Sequence, residues 1–246
     1  MKDSGNSPGR GRWIPAAALG ALLLLPPLTG CENEGNQVPE GSVYPPPAEG
    51  NTAVVDLSHQ LVGIGGGDDD ISQVVVQVLT QGTGTVNAEV FVNREQVNYN
   101  ANTGAFSGRI TPPLNPGSLV PLRVRSASWG EDSTFVRLAG DFTLEVESPH
   151  DPALPGDTVR ISWSQAAFAD EYELRVEGVG SPDPLLFIKL DATRYDWLVP
   201  DTASGEAKVT VQALVNLAEG GTWQGGSRVQ RESILSLGDG APAGAE

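Results

Sequence analysis

Residues 171–177 read EYELRVE, and their alternation decides the class of fold. Tyr172, Leu174 and Val176 fall on one side, and Glu171, Glu173, Arg175 and Glu177 on the other. A period of two belongs to an extended strand with one face in a core and one in water. The pattern continues in both directions. Upstream, TVRISW places Val159, Ile161 and Trp163 on one face, and DFTLEVE sets Phe142, Leu144 and Val146 against Asp141, Thr143, Glu145 and Glu147. Downstream, LLFIKL, RYDWLV, KVTVQALV and SRVQRESILSL supply four more candidates, so seven strands are predicted within 141–237. Short strands at this spacing, separated by turn residues, predict a β-sandwich. Trp163 and Trp197 lie in strands and are core candidates.

Residues 52–140 follow the same logic less cleanly. ISQVVVQVL gives one strand; NAEVFV alternates Ala88, Val90 and Val92 against Glu89 and Phe91; AFSGRI follows the turn NANTG; LVPLRVR shares a face among Val120, Leu122 and Val124; STFVRL closes the set. No long helix-period run follows residue 31, and 30 glycines with 19 prolines suit strands and turns. The predicted class is all-β, as two tandem sandwiches over 52–140 and 141–237.

The second segment resembles a fibronectin type III or related immunoglobulin-like module. The resemblance rests on Trp163 ending the second strand, Tyr172-x-Leu174-x-Val176 in the third, Leu198-x-Pro200 followed by Gly205, and Val209-x-Val211-x-Ala213 in the sixth. It departs from the family at Ala207, where a tyrosine would start the sixth strand and make the corner hydrogen bond. The first segment resembles the immunoglobulin-like repeats of bacterial surface proteins, through VNREQVNYNANTGAFSGRITPPLNPGSLVPLRVRS.

The amino-terminal region addresses the chain. Lys2, Arg10 and Arg12 precede the apolar stretch WIPAAALGALLLL (13–25) and the break Pro26-Pro27. This is the layout of an export signal, and it is short of the ~20 apolar residues that a spanning helix needs. Cys31, the only cysteine, ends LTGC (28–31) directly behind it. These four residues resemble the lipobox of bacterial lipoproteins. The resemblance implies a signal peptide over 1–30 cut before Cys31, a diacylglyceryl group on its sulfur and an acylated new amino terminus. Two or three acyl chains hold a protein durably at a membrane, where one alone does so only marginally. In Gram-negative lipoproteins an aspartate after the cysteine favours the inner membrane. Glu32 stands there, so the resemblance implies the outer membrane. Residues 31–51 then read as a proline-rich extended tether with Pro45-Pro46-Pro47 as a stiff piece, and 238–246 as a disordered tail.

Charge and chemistry narrow the function. After residue 30 the chain holds 12 basic and 30 acidic residues, a net charge of −18, and no basic stripe, which excludes nucleic acid as a partner. Neither a Gly-x-Ser-x-Gly elbow, a Walker loop nor a dinucleotide fingerprint occurs. With two histidines and one cysteine, a closed zinc site of His and Cys ligands is excluded. DLSHQ brings Asp56, Ser58 and His59 together in sequence but not toward one point, and reads as an exposed strand edge or loop. His150, in SPHDP, reads as a surface residue between the segments. No catalytic residue and no cofactor beyond the lipid is predicted.

Three features suggest binding instead. Trp129 in SASWGED and Trp223 in EGGTWQGGS stand in loops, where an indole either stacks on a sugar or protein partner or folds back on its own core. Asp68, Asp69 and Asp70 in GGGDDDIS are either a solvated turn or, with help from other loops, ligands for calcium. The expected function is therefore a non-enzymatic, lipid-anchored cell-envelope protein that presents its modules to a protein partner. The alternative is glycan or polymer capture through Trp223 and Trp129, with calcium assisting.

Overall fold

Two strands from opposite ends of the chain lie side by side at the centre of the fold. The computed structural model describes residues 44–62, 70–181, 183–217 and 221–238. The signal segment, Cys31, the tether up to residue 43, Asp68, Asp69 and the tail from 239 lie outside them. In the first half the strands are β1 (Thr52–Gln60), β2 (Ile71–Thr80), β3 (Thr83–Gly84), β4 (Glu89–Val92), β5 (Glu95–Val97), β6 (Tyr99–Asn100), β7 (Ala105–Ile110), β8 (Leu119–Ser126) and β9 (Gly130–Arg137). In the second they are β10 (Leu144–Glu147), β11 (Thr158–Trp163), β12 (Glu171–Gly178), β13 (Pro184–Leu190), β14 (Arg194–Leu198), β15 (Gly205–Asn216) and β16 (Trp223–Leu237). The described residues form no helix, and the all-β sandwich class is observed.

Each half uses one pairing order. In the second half β10-β11-β14 form a three-stranded sheet, and β13-β12-β15-β16 lie in order in another; in the first, β1-β2-β7 and β5-β4-β8-β9 repeat the two arrangements. The halves are then joined edge to edge, because β1 pairs in parallel with β16 from Ala53↔Trp223 to Gln60↔Gln230. The result is one nine-stranded sheet, β13-β12-β15-β16-β1-β2-β7-β6 with β3 beside β2.

Parity shows which side of this sheet carries the core. Ala53, Val55, Leu57 and His59 are buried on β1, and Trp223, Ser227 and Val229, their partners' parity, are buried on β16. Both halves therefore bury the same face of the long sheet, and both smaller sheets back onto it. Val90, Val92, Val120, Leu122 and Val124 from one small sheet and Val159, Ile161 and Trp163 from the other join a single hydrophobic cluster with it.

The crossing from one half to the other is docked rather than free. Gly140 N–H donates to Ala167 O at 2.7 Å, Ser227 Oγ bonds Arg137 O at 2.5 Å, and Arg231 reaches Phe142 O and Asp141. All described residues belong to one compact unit.

Several sequence expectations change here. The stretch holding DLSHQ is a full strand, β1, with neighbours on both sides; its period-two pattern was masked by a histidine at an inward position. Part of the predicted tether is packed: Pro45 O accepts the Glu131 N–H at 2.8 Å, and Asn51 is buried, donating from Nδ2 to Trp129 O. Gly238, the expected start of the tail, donates its N–H to Ala153 O.

Candidate functional site

Of the residues singled out from the sequence, Trp129 and Trp223 are brought together, but inside the molecule. Trp129 and Trp223 are 1% and 7% exposed and meet edge to face, with ring centroids 6.2 Å apart. Trp223 is the first residue of β16 rather than a loop residue. Each indole N–H is used: Trp129 Nε1 donates to Thr52 O at 3.2 Å, and Trp223 Nε1 to Asp132 Oδ2 at 3.0 Å. Neither ring presents a face to a ligand. Instead the pair seals the seam where β1, β9 and β16 converge. Burial raises the Asp132 carboxyl above its ordinary value, while the Ser133 N–H and the Trp223 indole pull it back.

His59 is equally far from the surface reading. It is 0% exposed, with Nδ1 2.8 Å from Ser72 Oγ and Nε2 3.4 Å from Asp70 Oδ2. Asp70 Oδ1 also accepts the Val62 N–H at 2.8 Å, and Ser72 Oγ accepts the Leu114 N–H at 2.8 Å. Asp70 thus belongs to a buried network and not to a solvated turn. Burial lowers the His59 pKa, against the pull of the neighbouring Asp70 carboxylate. The residue types are those of a hydrolytic triad, yet Ser72 and His59 are wholly enclosed and the hydroxyl already ties β2 to the 111–118 loop. The arrangement is a pin between strands and loop. Among the described residues no group of three or more His, Cys, Asp or Glu side chains is placed to hold a metal ion. His150 is exposed, as read from the sequence, and its Nδ1 lies 2.9 Å from Asp157 Oδ2.

Among the described residues, a surface that offers an apolar site is the outer face of β5-β4-β8-β9. A groove of about 420 Å³ lies there, lined by Phe91, Arg94, Pro121, Arg123, Ser133 and Phe135. This is within the usual range of small-ligand and side-chain pockets, ~300–1,000 Å³. Register explains the cluster: Phe91 pairs with Arg123, Arg123 with Ser133, and Pro121 with Phe135, so all of them stand on the side opposite the core. Phe135 is 63% exposed. The acids on this face are engaged, Glu131 with Arg123 and Glu89 with Arg125, and Arg125 also lies 5.3 Å from the Phe91 ring centre. Arg137, two residues beyond Phe135 on β9, lays its guanidinium 4.4 Å from the Phe168 ring centre.

Arg94 is different. It is exposed and makes no hydrogen bond or ion pair with any described residue. It occupies the second position of the two-residue hairpin Asn93-Arg94, with φ +49° and +72°, between the paired residues Val92 and Glu95. That turn wants Asn-Gly. A side chain in the left-handed region costs roughly 1–2 kcal/mol, so the cation is held there at the expense of stability.

The sequence carried a signal for this face. Phe91 and Phe135 are aromatic residues at the polar parity of their strands, flanked by the inward Val90, Val92 and Val136.

No family model matches the chain, and no curated protein does. Among solved structures it is similar to a tri-modular GH5 (subfamily 4) endo-β-1,4-glucanase from Bacillus licheniformis, complexed with cellotetraose. The identity is 10%, the TM-score 0.25, and the match covers 76% of this chain and 38% of that one. Similarity at that level says nothing of activity.

Proposed function

We propose that the chain is a lipid-anchored cell-envelope protein that acts by binding and not by catalysis, with a protein as its partner. Cys31 behind its apolar stretch supplies the anchor, and Glu32 favours the outer membrane in a Gram-negative cell. The observation that carries the binding role is the outer face of β5-β4-β8-β9, where Phe91 and Phe135 remain in contact with water beside the unengaged Arg94. Apolar rings left exposed on a folded body mark a contact surface.

The anchor and the contact surface are tested separately. Cys31→Ala should abolish labelling by a clickable fatty acid in growing cells; undiminished labelling removes Cys31 as the attachment point. Crosslinking in intact cells should join the native chain to a discrete protein, and Phe135→Thr should reduce that product several-fold. An adduct unaffected by the substitution moves the contact surface elsewhere, and failure to form any adduct removes the proposed role.

A further inference from the structure

The groove's chemistry specifies what would fill it, and the inference rests on the binding role just proposed. Its walls are rings, a proline and Leu122; its polar contributions come from Ser133, Thr134 and two guanidiniums, one of which, on Arg123, is already shared with Glu131. A sugar would need many more directed donors and acceptors than this. A large apolar side chain fits the space between Phe91 and Phe135, and the open guanidinium at the rim calls for a carboxylate. On a chain of net charge −16, the outward acids Glu89 and Glu131 of this face are neutralised and Arg94 is left over at the rim. The backbone of Arg94 strengthens the case. Glycine would relieve the left-handed turn, so a strained arginine at that place needs a reason outside the fold.

We infer that this groove is a docking site for an acidic, apolar segment of the partner protein, in which a carboxylate one or two residues from a large apolar side chain pairs with Arg94 while that side chain lies between Phe91 and Phe135.

The experiment uses the full chain and two fluorescein-labelled peptides, acetyl-Glu-Phe-Glu-Leu-Glu-amide and its Gln-Phe-Gln-Leu-Gln counterpart, with an oligogalacturonate as the glycan probe. The acidic peptide should bind saturably by fluorescence anisotropy, and the amide version at least ~10-fold more weakly, the loss of about one charge-assisted contact. Arg94→Gly should weaken the acidic peptide by a similar ~10-fold while raising Tm by ~2–4 °C. Those opposite signs separate a lost contact from a damaged fold. Phe135→Thr should weaken both peptides with Tm unchanged. Equal binding of the two peptides, indifference to Arg94→Gly, binding of the oligogalacturonate alone, or no binding of either peptide overturns the inference. If Arg94→Gly still captures the crosslinked partner in cells, the binding role stands and this docking site does not.

Discussion

The two four-stranded arrangements β5-β4-β8-β9 and β13-β12-β15-β16 hold the same place in the repeated pairing order but differ at the solvent: the first gathers its rings around one groove, and the second is laced with ion pairs, among which Phe187 beside Arg175 and Ile234 beside Lys208 stand exposed. On the second, Lys189 sits 3.1 Å from Glu171 and 3.3 Å from Glu173, Lys208 sits 3.3 Å from Glu232, and Arg175 sits 2.8 Å from Glu177. Arg228 with Asp56 carries the same lattice across to β1. On the first, the equivalent surface holds Phe91, Pro121 and Phe135. Exposed ion pairs contribute only ~0–1 kcal/mol each, so the charged face does little for stability. What it does is keep a long sheet wet and unattractive to other sheets. The aromatic face gathers its exposed rings around one groove, and the contact proposed above is placed there.

The long sheet is continuous only through the β1–β16 ladder, and the largest loss is expected from breaking it at that seam. Gly225 faces Val55 across the β1–β16 ladder with φ +90°, and a β-carbon there would land on the Val55 carbonyl oxygen. Gly225→Val therefore combines a left-handed β-branched residue with a backbone clash. We expect a loss of ~3–5 kcal/mol in urea denaturation, or no recoverable folded protein. Wild-type stability would mean that the two halves hold together without that ladder.

Next in size is the polar lock at the same seam. Trp223→Phe keeps an aromatic ring against Trp129 but removes the donor to Asp132 Oδ2. A buried acceptor losing its partner costs ~1–3 kcal/mol. The pH dependence has a definite sign. Asp132 has a folded pKa above 3.8, so the folded state keeps a proton that the unfolded chain has shed, and stability falls as pH rises through that window. Removing the indole donor raises the folded pKa further. The penalty of Trp223→Phe should be full at neutral pH and shrink as pH is lowered toward 4. A penalty independent of pH would place the loss in ring packing alone.

Strand identity was legible because alternation is a local property. All seven strands expected in 141–237 are present, and Val90, Val92, Val120, Leu122 and Val124 point inward as their parity requires. The seam was not legible, because parallel pairing of β1 with β16 joins residues some 170 positions apart and leaves no local mark. Trp129 lies in the β8–β9 turn as read, while Trp223 opens β16; of the two readings offered for these indoles the inward one is observed, and what covers each ring comes from the other end of the chain. His59 broke the apolar pattern of β1, since its partners Ser72 and Asp70 stand on the far side of a loop. The face proposed for contact was half legible. Phe91 was placed on the outward side, but its neighbours across β8 and β9 follow only from register.

The buried histidine gives a smaller, pH-gated effect. His59 has a folded pKa below 6.5, so as pH falls beneath that value the unfolded chain takes up a proton which the folded state refuses. Stability should decline with falling pH, starting near 6.5 and ending at the lowered folded pKa, by at most ~1.4 kcal/mol per pH unit. Because Asp132 acts with the opposite slope in both proteins, the difference between wild type and His59→Gln isolates the histidine. Urea midpoints at pH 7.5, 6.5 and 5.5 should show the gap between them changing with pH. A constant gap would mean that His59 keeps its ordinary affinity for a proton.

The smallest effects sharpen the contrast between the two outer faces most directly. Glu173→Gln removes one partner of Lys189, which Glu171 still holds, so stability should move by no more than ~0.5 kcal/mol. Phe135→Thr should also stay within ~0.5 kcal/mol, because a ring that is 63% exposed buries little on folding, and threonine suits a strand at least as well. Two substitutions equal in stability should then differ in function: Glu173→Gln leaves partner crosslinking intact, and Phe135→Thr weakens it. If Phe135→Thr instead costs 2 kcal/mol or more, by an estimate proper to a fully buried side chain, the ring supports the sheet and the aromatic face is a piece of core. If Glu173→Gln weakens crosslinking as strongly, the charged face shares in the contact, and the division between a wet surface and a binding surface falls.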